Sequence, residues 1–288
     1  SYMTDPVRGH NLWVNPRIEA VIVSTEEAKD YLIKQGEPRD KVIVLPFPLN
    51  KKFFSKITRT REEILDELGL DPSRKTLLAT SGGQGIGDTS EYIKELYTSN
   101  FPFNIIAVCG KNKELSEELS NLKSSVDSET PLAVLGFVDN MHELLEVSDL
   151  AIAKGGASTT FEVLVKKVPT IFTHCAALHE KGNIDFCVNN KMGWFAKNKN
   201  EFNAIINEVL NTNILEQYKQ NIDNNEYVKT LPDAAPNIAR FIVKELNSPY
   251  KQQEDPKKVR LKSVLLSLRI KKFRIKSRVK NKRYKIGR

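Results

Sequence analysis

Cysteine is scarce in this sequence: Cys109, Cys175 and Cys187 are the only three in 288 residues. That excludes a disulfide framework, and no Cys-x-x-Cys or Cys/His pair has the spacing of a zinc site. Reduced thiols in a cytosolic compartment are therefore expected. Long apolar runs are missing too, and none approaches the ~18 residues of a membrane-spanning helix. The first residues lack the apolar stretch of a secretory leader. The sequence opens on Ser1 rather than Met, so a processed or partial chain is expected. No internal repeat or low-complexity segment occurs before residue 251. There is no Gly-Lys-Ser/Thr to make a P-loop and no good G-x-G-x-x-G, which disfavours a nicotinamide-binding Rossmann protein.

What the sequence does have is charge, unevenly placed. The 44 basic and 36 acidic residues give +8 overall. Residues 251–288 hold 16 of the basic residues against Glu254 and Asp255, a net of +14, leaving −6 on the rest. An acidic body with a basic tail is neither a uniformly basic nucleic-acid coat nor a chain disordered throughout. The length allows one large or two ordinary domains, and 40% hydrophobic residues suffice for a core.

Short apolar runs alternate with helical patterns along the body. Runs at 20–24, 41–45, 76–80, 103–109, 132–135, 149–153 and 169–172 read as strands, with a short segment at 193–195. Ser24 with Glu27 and Thr60 with Glu63 have capping-box spacing at two helix starts, and those helices should stop near Gly36 and Gly69. Further helices are expected over 88–97, 114–122, 140–147, 158–167, 180–190, 199–210, 214–227 and 234–246. Strands apolar on both faces, separated by single helices, imply a parallel sheet covered on both sides. The expected fold is α/β, a doubly wound Rossmann-like sheet over about 55–247. Residues 1–54 supply too few strands for a domain, and read as the end of a truncated N-terminal domain plus a linker through Pro46 and Pro48. Residues 248–288 form the basic tail.

Three strand-to-helix loops should share one rim, where such sheets bind ligands. Gly82, Gly83, Gly85 and Gly87 let the first loop approach a phosphate closely, or simply make a tight turn for packing. In Lys154-Gly-Gly-Ala-Ser-Thr-Thr-Phe-Glu162, Gly156, Ser158 and Thr159 can cradle a pyrophosphate, and Glu162 one turn on can accept ribose hydroxyls. Equally, Ser158 could be an ordinary N-cap and Glu162 a solvated side chain. The third loop brings His179, Glu180 and Asn183 to a helix start, polar groups suited to sugar hydroxyls. His174 and His179 lack a third ligand at fitting spacing, so no metal is expected.

Taken together, Ser-Gly-Gly-Gln-Gly-Ile-Gly (81–87), Cys-Gly-Lys-Asn-Lys-Glu-Leu (109–115), Leu-Gly-Phe-Val-Asp-Asn-Met (135–141), the 154–162 stretch and His-Glu-Lys-Gly-Asn (179–183) resemble the donor half of monogalactosyldiacylglycerol synthases. They are similar also to processive diacylglycerol glucosyltransferases and, more distantly, to the peptidoglycan N-acetylglucosaminyltransferase. These are GT-B enzymes, with two facing Rossmann-like domains. The resemblance implies that Glu162 holds the ribose, that Ser158 and Thr159 lie at the pyrophosphate, and that Phe137, Val138 and Met141 border the uracil. It places Glu180 and Asn183 at the donor sugar and the 81–87 glycines near the reacting centre. Two positions depart from the family: Ser81 replaces a glycine, and Leu178-His179 replaces Gly-Gln, which leaves the identity of the sugar open.

The resemblance implies an inverting transfer of a hexose from a UDP-sugar to a lipid such as diacylglycerol, with no cofactor and no metal. A general base is required, but the family keeps it largely in the N-terminal domain; His10, near the domain junction, is the candidate here. Alternatives are a non-catalytic UDP-sugar-binding subunit with a separate acceptor-domain protein, or N-acetylglucosamine transfer to a polyprenyl-linked acceptor. In the tail, Leu261, Leu265 and Leu268 would share a helical face flanked by Lys262 and Arg269, suited to an anionic membrane surface. A cytoplasmic, peripheral membrane location is expected. Nucleic acid is the less favoured partner for the tail.

Overall fold

The computed structural model describes residues 1–9, 13–14, 18–80, 89–175 and 178–246, with only the backbone at Leu178 and His179. Internal contacts divide the chain into two compact units, one of residues 1–47 with those from Asp233 onward, the other of Pro48–Pro232.

In the first unit, strands β1 (Val21–Val23) and β2 (Val42–Val44) pair in parallel around helix α1 (Glu26–Gln35). The first residues add to the outer edge of β1, where Met3 N donates to Ile22 O at 2.8 Å. Met3, Val21, Val23 and Leu32 are fully buried together. The N-cap of α1 is Thr25, whose hydroxyl accepts from Ala28 N, so the helix starts one residue later than the Ser24–Glu27 spacing predicts. Ser24 is drawn inward instead, its hydroxyl 2.8 Å from that of Tyr2. Helix α11 (Ala234–Leu246) belongs to this unit and leaves Ile242, Val243 and Leu246 exposed.

The second unit begins with helix α2 (Arg61–Glu67), which carries the expected Thr60–Glu63 capping box. Six parallel strands follow: β3 (Thr76–Thr80), β4 (Asn104–Val108), β5 (Leu132–Leu135), β6 (Leu150–Lys154), β7 (Thr170–His174) and β8 (Gly193–Phe195). Helices α3 (Thr89–Thr98), α4 (Lys113–Ser125), α5 (Met141–Glu146), α6 (Ala157–Val165) and α7 (Leu178–Asn189) connect them. Helices α8 (Lys199–Asn211), α9 (Ile214–Asn224) and α10 (Glu226–Thr230) close the unit. The expected helix over 214–227 is broken at Asn225, whose side chain accepts from Tyr227 N and Val228 N and starts α10.

The strand order is β5-β4-β3-β6-β7-β8, the doubly wound arrangement expected. Alternate residues of each strand feed different layers. Leu77, Ile105 and Ile152 pack among Ile93, Leu119 and Phe202, while Leu78, Ile106 and Ala151 pack among Ile64, Leu145 and Val163. Both faces are covered, which is why the strands read as continuous apolar runs. At the amino ends of β3 and β6, Asp149 accepts from Thr76 N at 3.0 Å, Arg61 at 3.2 Å and Lys219 at 3.0 Å. The carboxyl ends are left for a ligand. The chain reverses direction across the sheet between β3 and β6, and a crevice at such a switch point is where open α/β sheets bind.

Candidate functional site

A cleft of about 130 Å³ opens at the carboxyl ends of β3 and β4. Its floor is strand residues, Leu78, Thr80 and Val108, and its walls include Phe137, Val138, Met141, Thr159 and Glu162. The volume is close to that of an apolar cavity that admits benzene (~150 Å³), so a single flat ring fits in it. Gly110, at φ 61°, turns the chain out of β4, and its N–H bonds to Gly136 O at 3.2 Å, bringing the 135–141 segment to the cleft. Phe137 stands at the rim with 66% of its surface exposed. The ammonium of Lys111 lies 5.9 Å from the centre of that ring. A large aromatic left open beside an apolar cleft offers a stacking face.

Glu162 puts the one carboxylate of the lining at the edge of this cleft. Burial lifts its carboxyl from the usual 4.5 to about 7, and no cation offsets the shift. A desolvated carboxylate of this kind is receptive to hydroxyl donors, which would stabilise its charged form. Thr159 lies one turn earlier on the same helix and lines the same cleft.

The N-terminus of α6 is the next feature along the rim. Its N-cap is Gly156, not Ser158, and no side chain caps it. The N–H groups of Ala157, Ser158 and Thr159 therefore have no intrahelical acceptor and face outward with the positive end of the helix dipole. Thr160 is turned inward, its hydroxyl donating to Gly156 O at 2.8 Å, whereas Ser158 is exposed.

Helix α7 is fastened directly to this loop. Asn183 Nδ2 donates to Gly155 O at 2.9 Å, and Asn183 is 1% exposed. A Cβ on Gly155 would lie 2.7 Å from Ile184 Cδ1 and 3.0 Å from Glu180 O, so only glycine permits the approach. Glu180, itself buried, has Oε1 3.8 Å from Lys154 Nζ.

Of the residues singled out in the sequence, Phe137, Val138, Met141, Thr159 and Glu162 thus converge on one cleft, with Gly156 and Ser158 at the adjoining helix start. Glu180 and Asn183 sit in the first two turns of α7. His179 is in the first turn of α7 by its backbone, and its side chain lies outside the described residues. His10 and the glycines at 82, 83, 85 and 87 also lie outside them. Leu78, Thr80, Val108, Lys111 and Lys154 escaped the sequence reading. The strand residues were missed because an apolar strand position carries no mark of the cleft at its end. Lys154 stands in a motif already noted, and only the fold gives it a partner. Among the described residues, no group of three or more His, Cys, Asp or Glu could hold a metal ion.

Residues 76–238 match the glycosyltransferase family 28 C-terminal domain. The chain belongs to that family. It is 30% identical over 210 residues to the processive diacylglycerol beta-glucosyltransferase of Staphylococcus epidermidis, covering 73% of this chain and 52% of the relative. Monogalactosyldiacylglycerol synthase 1 of Arabidopsis thaliana is 27% identical over 211 residues, covering 71% of this chain and 39% of the relative. The chain thus spans about half or less of the length of the curated relatives it matches. In fold it resembles Acinetobacter baumannii MurG, with a TM-score of 0.60 at 16% identity, covering 84% of this chain and 65% of that one. The fold is that of GT-B glycosyltransferases. The family 28 match begins at β3 and runs into α11, so it contains the cleft, the start of α6 and the start of α7.

Proposed function

We propose that this chain is the donor-binding half of a UDP-sugar-dependent glycosyltransferase that moves a hexose to a diacylglycerol-type lipid at a membrane surface. The observation that carries the reading is the ring-sized cleft with a desolvated carboxylate at its edge. The uracil enters the cleft against Val138 and Met141, with Phe137 stacking over it, and the ribose hydroxyls donate to Glu162. The diphosphate then reaches the uncapped start of α6, and the hexose lies towards Glu180. The similarity to the diacylglycerol glucosyltransferase and the monogalactosyldiacylglycerol synthase supports the diacylglycerol-type acceptor.

In this reading the acceptor hydroxyl displaces UDP directly, with inversion at the anomeric carbon. The leaving diphosphate is stabilised by the free N–H groups and dipole of α6, without a cofactor or bound metal. The general base and the acceptor cleft belong to a facing domain, in the same chain or a partner.

Calorimetric titration with UDP tests the nucleotide assignment. Glu162→Ala should weaken binding by about tenfold or more, since each hydrogen bond to a charged group is worth ~1.5–3 kcal/mol. Unchanged affinity removes the ribose assignment.

A further inference from the structure

We infer that Lys154 is a positioning residue that couples the diphosphate end of the ligand to its sugar end through Glu180; this rests on the nucleotide-sugar reading above. The pairing of β6 with β7 is irregular between Ala153 and Lys154, where Lys154 comes opposite His174. Such an irregularity re-aims a side chain at the end of a strand. The stem of Lys154 runs over the N-cap of α6, its Cε 3.6 Å from where a Cβ on Gly156 would stand. Its ammonium lies 3.8 Å from Glu180 Oε1, with the lysine side chain 31% exposed and the glutamate 10%. One cation therefore stands between the uncapped helix start and the carboxylate that leads α7.

The backbone around this pair is held firmly. Asn183 ties α7 to Gly155 O at 2.9 Å, and Ile184 and Glu180 O leave no room for a side chain at Gly155. The start of α6 and the first turns of α7 thus keep a set distance. Within that frame, Lys154 is a cationic partner of the Glu180 side chain. A diphosphate at the start of α6 brings negative charge beside the same ammonium. Lys154 is then shared between diphosphate and carboxylate, so the position of Glu180 against the hexose depends on the diphosphate being bound.

The full chain is titrated with uridine, UDP, UDP-glucose and UDP-galactose, as wild type, Lys154→Met, Lys154→Arg, Glu180→Gln and the Lys154→Met/Glu180→Gln double variant. Uridine affinity should be equal in all five, which also reports that each is folded. UDP should bind about tenfold more weakly to Lys154→Met, little changed to Glu180→Gln, and nearly normally to Lys154→Arg, a loss the size of one charge-assisted contact. The affinity that the preferred hexose adds to UDP should fall in both single variants, and the double variant should lose no more of it than the worse single one. Additive losses, unchanged UDP affinity in Lys154→Met, or a hexose that adds nothing in the wild type overturns the coupling. Failure of the wild type to bind uridine and UDP overturns the nucleotide-sugar reading itself, and the coupling with it.

Discussion

Glu162 is a carboxyl whose behaviour should change within the physiological pH range. Burial raises it to about 7, so the folded protein holds a proton there that the unfolded chain, with a carboxyl near 4.5, has already released. Between pH 4.5 and 7 the native state binds more protons than the unfolded state, and stability from this group falls as pH rises through that window. Glu162→Gln should therefore raise the melting temperature at pH 8 and leave it nearly unchanged at pH 4.5, as thermal melts at the two pH values will check. Ligand binding should run the other way. If Glu162 holds the ribose as proposed, its hydroxyls bond to the ionised form, so UDP affinity should increase from pH 5.5 to 8, with proton release seen as a buffer-dependent heat. Wild type and Glu162→Gln should differ in that release. Residue type and spacing single out Glu162 as a candidate, one turn beyond a Gly-Gly-Ala-Ser start, and the structure puts it in the lining of the cleft. Its raised pKa was not legible, since burial depends on the fold, which brings Leu78, Val108 and Met141 to line the same cleft from other parts of the chain.

Elements were legible where a local rule had no competitor. The Thr60–Glu63 capping box formed because both of its bonds are local. The Ser24–Glu27 box lost to a tertiary contact, as Tyr2 claims the Ser24 hydroxyl and Thr25 caps instead, also donating to Pro6 O at 2.9 Å. The break at Asn225 is a side-chain cap inside an otherwise helical pattern, which periodicity cannot detect. Helices α6 and α7 meet at Gly155, which looks in the sequence like one more flexible loop glycine. Gly155→Ala would push a methyl into Ile184 and the Glu180 carbonyl, and should cost about 1–3 kcal/mol as an overpacked contact. Denaturant titration measures that cost. Because α7 must shift, the affinity gained from the hexose should fall more than the affinity for uridine.

Among the described residues the chain forms two compact units, and the sequence beyond them is strongly basic. The boundary of the larger unit falls at Pro48, ahead of the expected 54/55, because the segment from Pro48 onward packs with α6 and the α2–α5 core. Helix α11 groups instead with residues 1–47, a long-range association that no stretch of sequence announces. Residues 251–288 lie outside the described residues, and the membrane contact expected of them rests on their charge. Each Lys or Arg near an anionic leaflet adds ~1 kcal/mol, so even a few of the 16 would hold the chain there. Removing 251–288 should abolish co-sedimentation with phosphatidylglycerol vesicles at low salt; equal sedimentation of both forms would remove the membrane role of the tail.

Residue order alone was enough for the parallel, two-sided sheet, for its loops and for the family they resemble. Apolar runs buried on both faces and glycine-rich strand ends are local features, readable one segment at a time. The cleft, the desolvation of Glu162, the Lys154–Glu180 pair and the membership of α11 required folding. Each of them joins parts of the chain that are far apart in sequence, and no local pattern encodes a distance of that kind.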